Sequence, residues 1–281
     1  MIPDYQANSV YMSLWLQKDY KEVYTNLITI LSKYNINHKV IPDTKDVWCR
    51  DYMPLQLDED RFLCYRYMPD YLLKNSCNRR YITDSLEVSQ KMGLPIKESS
   101  LVIDGGNVVK VGDKVIMTEK VFAENPGVSS KWLKRKLQNH LECEVVFIPW
   151  DRYEIYGHSD GVVKPISDSA VLMTNYHDYD DSYAEEVVRR LSKKFKLEFL
   201  SYQVRKPNRL NWAYINFLTV KNLIVLPCLG IEEDQQALTQ IRQYFPDDTI
   251  EQVNITSLIK HGGGLNCVTW CRYIPSAHLG D

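Results

Sequence analysis

Asn107–Met117, with the sequence NVVKVGDKVIM, reads as two short apolar strands folded back on a tight turn at Gly112-Asp113. A preceding strand is expected at Leu101–Ile103. An amphipathic helix is expected from Ser130 to Leu141, followed by a buried strand at Cys143–Ile148. The unit is therefore strand, strand, helix, strand, and it recurs in both directions. Upstream, Tyr11–Leu16 alternates like a strand, a helix places Val23, Leu27, Ile30, Leu31 and Tyr34 on one face, and His38–Ile41 returns as a strand. Arg61–Tyr67 is the next strand, with a helix from Thr83 or Asp84 that stops at Gly93 before Pro95.

Downstream, strands at Gly161–Pro165 and Ala170–Thr174 precede a helix opening on a Ser182/Glu185 capping box, then Leu197–Leu200. A last round has Ile215–Val220, Leu223–Pro227, a helix burying Leu238, Ile241 and Phe245, and a strand near Ile250–Ile255. Five rounds at a spacing of roughly 55 residues point to a ring of repeats rather than one open sheet. The expected fold is thus α/β, a five-bladed pseudo-symmetric ββαβ propeller formed by one catalytic domain over residues 1–281.

Three motifs fall at junctions between rounds, where such a ring would converge. His261-Gly-Gly-Gly-Leu-Asn-Cys267-Val-Thr269 sets a thiol behind three glycines. Glycine permits close backbone approach to a ligand, and a thiolate is the strongest nucleophile among common side chains. Gly157-His158-Ser-Asp160-Gly161 supplies a proton carrier, with a carboxylate on the same side if the stretch is extended. Trp48-Cys-Arg50-Asp51-Tyr-Met-Pro54 adds a second carboxylate beside an aromatic ring. Asp51 and Asp160 could grip one guanidinium through charge-assisted bonds while Trp48 covers its face. Arg50 is expected to pair in part with Asp51. Asp104-Gly-Gly-Asn107 reads alone as a turn, and Glu119, closing a strand, is a candidate to orient His158.

Composition bounds the partners. A net charge of −2, with no extended basic cluster, gives no reason to expect nucleic acid. No apolar stretch is long enough to span a bilayer, so no membrane role is expected. Met1-Ile-Pro-Asp-Tyr5 lacks the basic start of a signal peptide, and seven irregularly spaced cysteines suit reduced thiols in a cytoplasm. Cys267 and Cys271 have three residues between them and no matching pair, which argues against zinc or thioredoxin-type redox work. Oligomeric state is unreadable, and a homo-oligomer is compatible with the composition.

Taken in order, Trp-x-Arg-Asp-x-x-Pro, Asp-Gly-Gly, Thr-Glu, Gly-His-x-Asp-Gly and Gly-Gly-x-Leu-x-Cys-x-Thr resemble the agmatine deiminase and bacterial peptidylarginine deiminase family. The resemblance runs from about Trp48 to the C-terminus. It implies the pentein fold, a ring of five ββαβ units, and hydrolysis of a guanidinium to a ureido group with release of ammonia. It further implies Cys267 as nucleophile, His158 as general acid/base, Asp51 and Asp160 as guanidinium ligands, and Trp48 as the stacking ring. Glu119 falls on the family's acidic position, and Asn216, in Tyr214-Ile-Asn-Phe217, on an asparagine lining the site. Gly264 and Arg50 are expected to contact substrate. The implied substrate is a small-molecule or peptidyl guanidine, handled through a cysteine thiouronium intermediate without metal or organic cofactor. The chain departs from the family by Asn266, where histidine is usual before the nucleophile, and by Trp270-Cys-Arg-Tyr273, where agmatine deiminases carry glutamines. An amidinotransferase of the same superfamily, or a guanidinium-binding pentein without turnover, are the alternatives. A binder would have no use for the thiol.

Overall fold

Fifteen strands form five three-stranded sheets in a computed structural model that describes residues 1–152 and 154–275. The first sheet holds β1 (Ser9–Ser13), helix α1 (Lys21–Lys33) and β2 (Asn37–Ile41). The second is β3 (Leu55–Asp58), β4 (Arg61–Arg66), α2 (Ser85–Lys91) and β5 (Ile96–Val102). The third is β6 (Val109–Val111), β7 (Lys114–Thr118), α3 (Ser130–Leu141) and β8 (Glu144–Ile148). The fourth is β9 (Val163–Ser167), β10 (Ala170–Met173), α4 (Asp181–Leu191) and β11 (Lys196–Phe199). The fifth is β12 (Leu218–Val220), β13 (Leu223–Cys228), α5 (Asp234–Tyr244) and β14 (Thr249–Asn254).

In the second to fifth blades an antiparallel hairpin is followed by a helix that returns the chain to a parallel third strand. A parallel return needs such a crossover, which explains why helix and strand alternate so regularly in the sequence. The first blade lacks its own leading strand. β15 (Trp270–Arg272) supplies it, pairing antiparallel with Ser9–Tyr11, so the two ends of the chain share one sheet and close the ring. This is the five-bladed pentein arrangement.

The central hairpin turns at Gly112, whose φ of +53° is strained for residues with a Cβ. The expected α3 is found with the same bounds, because the Ser129 side chain caps Trp132 N–H and Leu133, Leu137 and Leu141 form one buried face. Other boundaries differ, four of them for a visible local reason. The strand expected through Leu16 ends at Ser13, whose hydroxyl caps a short helix, Leu14–Asp19. Leu101 and Val102 end β5 and belong to the second blade, not the third. α4 is capped by Asp180, which accepts from Tyr183 N–H at 2.9 Å, rather than by Ser182. Arg209–Ile215 winds into 3-10 turns capped by Asn208, so β12 begins only at Leu218. β3 and β15 escape the sequence pattern because four and three residues are too few to show alternation.

The core follows the helix faces. Val23, Leu27 and Leu31 of α1 pack with Val10, Met12, Ile224 and Leu226 in one buried cluster that joins the first blade to the fifth. Each such side chain stabilises the fold by roughly 1.5–3 kcal/mol. No helix among the described residues is long and apolar enough to cross a membrane.

Candidate active site

The candidate residues share one topological position. Asp51 immediately precedes β3, Asp104 β6, His158 and Asp160 β9, Asn216 β12, and Cys267 β15. Each blade thus offers the segment leading into its first strand, and the ring brings these segments together. Residues distant in sequence meet because the repeat places them equivalently.

Asp51 lies on the helical turn Cys49–Tyr52, whose carbonyls at Asp51 and Met53 accept from the buried Tyr65 hydroxyl at 2.8 Å. Its Oδ1 accepts from Gly106 N–H at 2.9 Å and lies 3.5 Å from His158 Nδ1. A Cβ on Gly106 would sit 2.7 Å from that oxygen and 2.8 Å from Nδ1, so only glycine allows the approach. The other imidazole nitrogen, Nε2, donates to Asp104 Oδ2 at 3.0 Å. Cys267 is buried. Its thiol donates to Asn216 Oδ1 at 3.4 Å, its N–H donates to the same oxygen at 3.3 Å, and its sulfur is 3.8 Å from Asp160 Oδ2. Asn216 also donates to the Asp160 carbonyl at 3.2 Å, tying nucleophile and carboxylate together.

A cavity of about 570 Å³ opens over this cluster. Trp48, Asp51, His158, Asp160 and Cys267 form its floor, and Tyr71, Tyr156, Tyr176, Tyr179, Tyr183 and Trp212 its sides. Gly263 lies against the Trp48 ring, where any Cβ would collide.

Electrostatics follow from burial and neighbours. Burial opposes the His158 imidazolium, but Asp51 and the hydrogen bond to Asp104 outweigh it and raise the group to about 9. Burial raises Asp51 to about 6, although the His158 charge works the other way. Burial also works against the Asp104 carboxylate, yet Lys120 and then His158 hold it below the usual range. Burial, then the Asp160 and Asp51 charges, push the Cys267 thiol well above its usual value. These surroundings disfavour a thiolate, and a cation held between the carboxylates would act in the opposite direction.

The structure gathers Cys267, His158, Asp51, Asp160, Trp48 and Asn216 into one site. Three expected members stand apart. Glu119 does not orient His158: its carboxylate pairs with Arg190 at 2.9 Å on the surface, because the chain turns into a short helix at Lys120. Arg50 does not face the cavity or pair with Asp51; its guanidinium points behind the floor to Asp4 at 2.9 Å and to the Asn266 carbonyl at 3.2 Å. Gly264, expected against substrate, does not line the cavity; it packs on Asn216, where a Cβ would be 2.6 Å from Oδ1. The residue that sequence reasoning underrated is Asp104, the true partner of His158. Its signal was the Asp-Gly-Gly turn at a blade junction. Lys120, 1% exposed, backs it at 2.8 Å and carried no signal at all.

A profile of the Porphyromonas-type peptidyl-arginine deiminase family matches residues 5–271. The chain belongs to that family. A protein of Legionella pneumophila bearing the name "Putative agmatine deiminase" is 28% identical over 201 residues, which is 63% of this chain and 57% of that protein. The chain thus aligns with a little over half the length of the curated relatives it matches. In three dimensions it resembles the agmatine deiminase of Enterococcus faecalis, with TM-score 0.77, 19% identity, and 97% and 95% of the two chains covered. It also resembles an amidinotransferase of Microseira wollei, with TM-score 0.65, 11% identity, and 98% and 97% covered. These likenesses establish the fold; by themselves they do not separate hydrolysis from amidine transfer.

Proposed function

We propose that this family member is a guanidine deiminase: one catalytic unit that hydrolyses a guanidinium to a ureido group and ammonia. One observation carries the reading. A thiol, an imidazole bracketed by two carboxylates, and a third carboxylate converge on a single aromatic cavity. Asp51 and Asp160 grip the substrate cation, Trp48 covers its face, and the cation's charge favours ionisation of Cys267. The thiolate adds to the guanidinium carbon. A C–N bond breaks, and the departing nitrogen takes a proton from His158, which its neighbours keep protonated. His158, now neutral, takes a proton from water, whose oxygen adds to the thiouronium carbon. The C–S bond breaks, the ureido product leaves, and the thiol is restored. Hydrolysis is preferred to transfer because the matched family is one of deiminases.

The cavity wall supports a guanidine with a cationic tail. Asp151, Glu154 and Asp180 line it against one arginine, Arg209, while Arg205 and Lys206 are not among its lining residues. A free α-carboxylate would meet more negative than positive charge there. A cytoplasmic small-molecule enzyme fits seven cysteines that are all unpaired. The test is ammonia and ureido-product release from agmatine, free arginine and an arginine peptide, run beside Cys267→Ala. Turnover of agmatine above the other two, lost in the variant, is the expected result. Release that survives the variant would overturn the reading, and arginine preferred over agmatine would overturn the tail assignment.

A further inference from the structure

Behind the floor lies a second cavity, of about 550 Å³, and Asp160 borders both. Its wall carries Arg50, Lys164 and Asn266, none of which touches the front cavity. We propose that Asn266 is a positioning residue for Asp160, a neutral spacer that transmits a hydrogen bond from a buried and a largely buried cation without cancelling the carboxylate's charge. The proposal rests on the deiminase reading for its substrate, and on geometry for the rest.

Asn266 is 4% exposed, so its amide must be satisfied from within. Its Oδ1 accepts from Lys164 Nζ at 3.0 Å and from Arg50 Nη2 at 3.3 Å. Both partners are donors only, so only the amide oxygen can face them. The orientation of the amide is thereby decided: Nδ2 must point the other way, and it donates to Asp160 Oδ2 at 2.8 Å. The cations are themselves held in place. Lys164, buried, also donates to the Phe217 carbonyl at 2.7 Å, and Arg50 is fixed by Asp4 and the Asn266 carbonyl.

What this avoids is visible at Asp104, which takes Lys120 directly at 2.8 Å and is an anion already matched by a cation. Were Lys164 to reach Asp160 in the same way, that carboxylate would have little left for a substrate cation. The amide supplies a donor without a full charge. It holds Oδ2 from the rear and leaves the carboxylate electrostatically open to the front.

Asn266→Asp tests this, because the shape is kept and the existing oxygen still pairs with Arg50 and Lys164, which favours folding. The one new oxygen, in place of Nδ2, faces Asp160 Oδ2, and two carboxylates at that distance share a proton or repel. The expected result is a KM raised by about tenfold or more at pH 8, with kcat less affected. The ratio of variant to wild-type kcat/KM should recover as pH falls and the shared proton is taken up. A merely structural role would give no such dependence. A ratio constant with pH, or a lowered KM, overturns the proposal. If melting shows that this variant does not fold, Lys164→Met decides: a KM raised by about threefold or more is expected, and an unchanged one overturns the proposal. Wild-type silence on every guanidine would defeat the deiminase reading alone. The spacer is then read from iodoacetamide alkylation of Cys267, followed on its peptide by mass spectrometry. In Asn266→Asp that rate should fall relative to wild type as pH rises, and an unaltered pH dependence overturns the spacer.

Discussion

Asp104 and Asp160 are both buried carboxylates with a buried lysine behind them, yet the two are wired differently. Asp104 touches its lysine and shares the same oxygen with His158. Asp160 is separated from its lysine by the Asn266 side chain. The first is a matched anion whose task is to hold an imidazole. The second keeps unmatched charge beside the buried Cys267 thiol. Burial alone would make either carboxylate costly, and the neighbour decides which is neutralised and which keeps an available charge.

The comparison can be broken in order of expected effect. The largest belongs to the nucleophile: Cys267→Ala should reduce ammonia release by at least about 10³-fold with the melting temperature preserved, since no other group supplies the covalent step. Asp104→Asn should come next, at about 10²-fold in kcat/KM, because His158 loses the carboxylate that holds its Nε2–H. A loss much smaller than that would mean Asp51 alone orients the imidazole.

The pH profile sharpens the same contrast. Asp51 must be ionised to bind the cation, so kcat/KM should rise with pH through about 6. His158 must be protonated to release ammonia, so it should fall again as pH passes about 9. Because the Asp104 hydrogen bond raises His158, Asp104→Asn should move the alkaline limb to lower pH, and an unmoved limb would assign it to another group. The smallest effect is Glu119→Gln. Its ion pair with Arg190 is about a third exposed on both sides, so activity should stay within about twofold and stability within about 0.5 kcal/mol. A larger drop in activity would restore Glu119 to the site.

The sequence carried more of the chemistry than of the wiring. That Cys267, His158, Asp51, Asp160 and Trp48 would meet was legible because each stands in a glycine- or proline-marked junction where a strand pattern breaks. Asp104 was half legible, since an Asp-Gly-Gly turn has an ordinary structural explanation. Arg50 was misread because its neighbour in sequence, Asp51, is not its neighbour in space. The short helical turn Cys49–Tyr52 sends the two side chains to opposite sides of the floor.

The amino-acid sequence by itself determined the ββαβ repeat, through alternating strands and one-faced helices, and the set of reactive groups the ring would gather. Local periodicity and residue chemistry are properties of the chain. Only the tertiary structure decided that β15 closes the ring beside β1, that Asp104 rather than Glu119 holds His158, and that Asn266 separates Lys164 from Asp160. Those outcomes depend on distances between residues far apart in sequence, and in a buried site a separation of one side chain changes a neutralised charge into an available one.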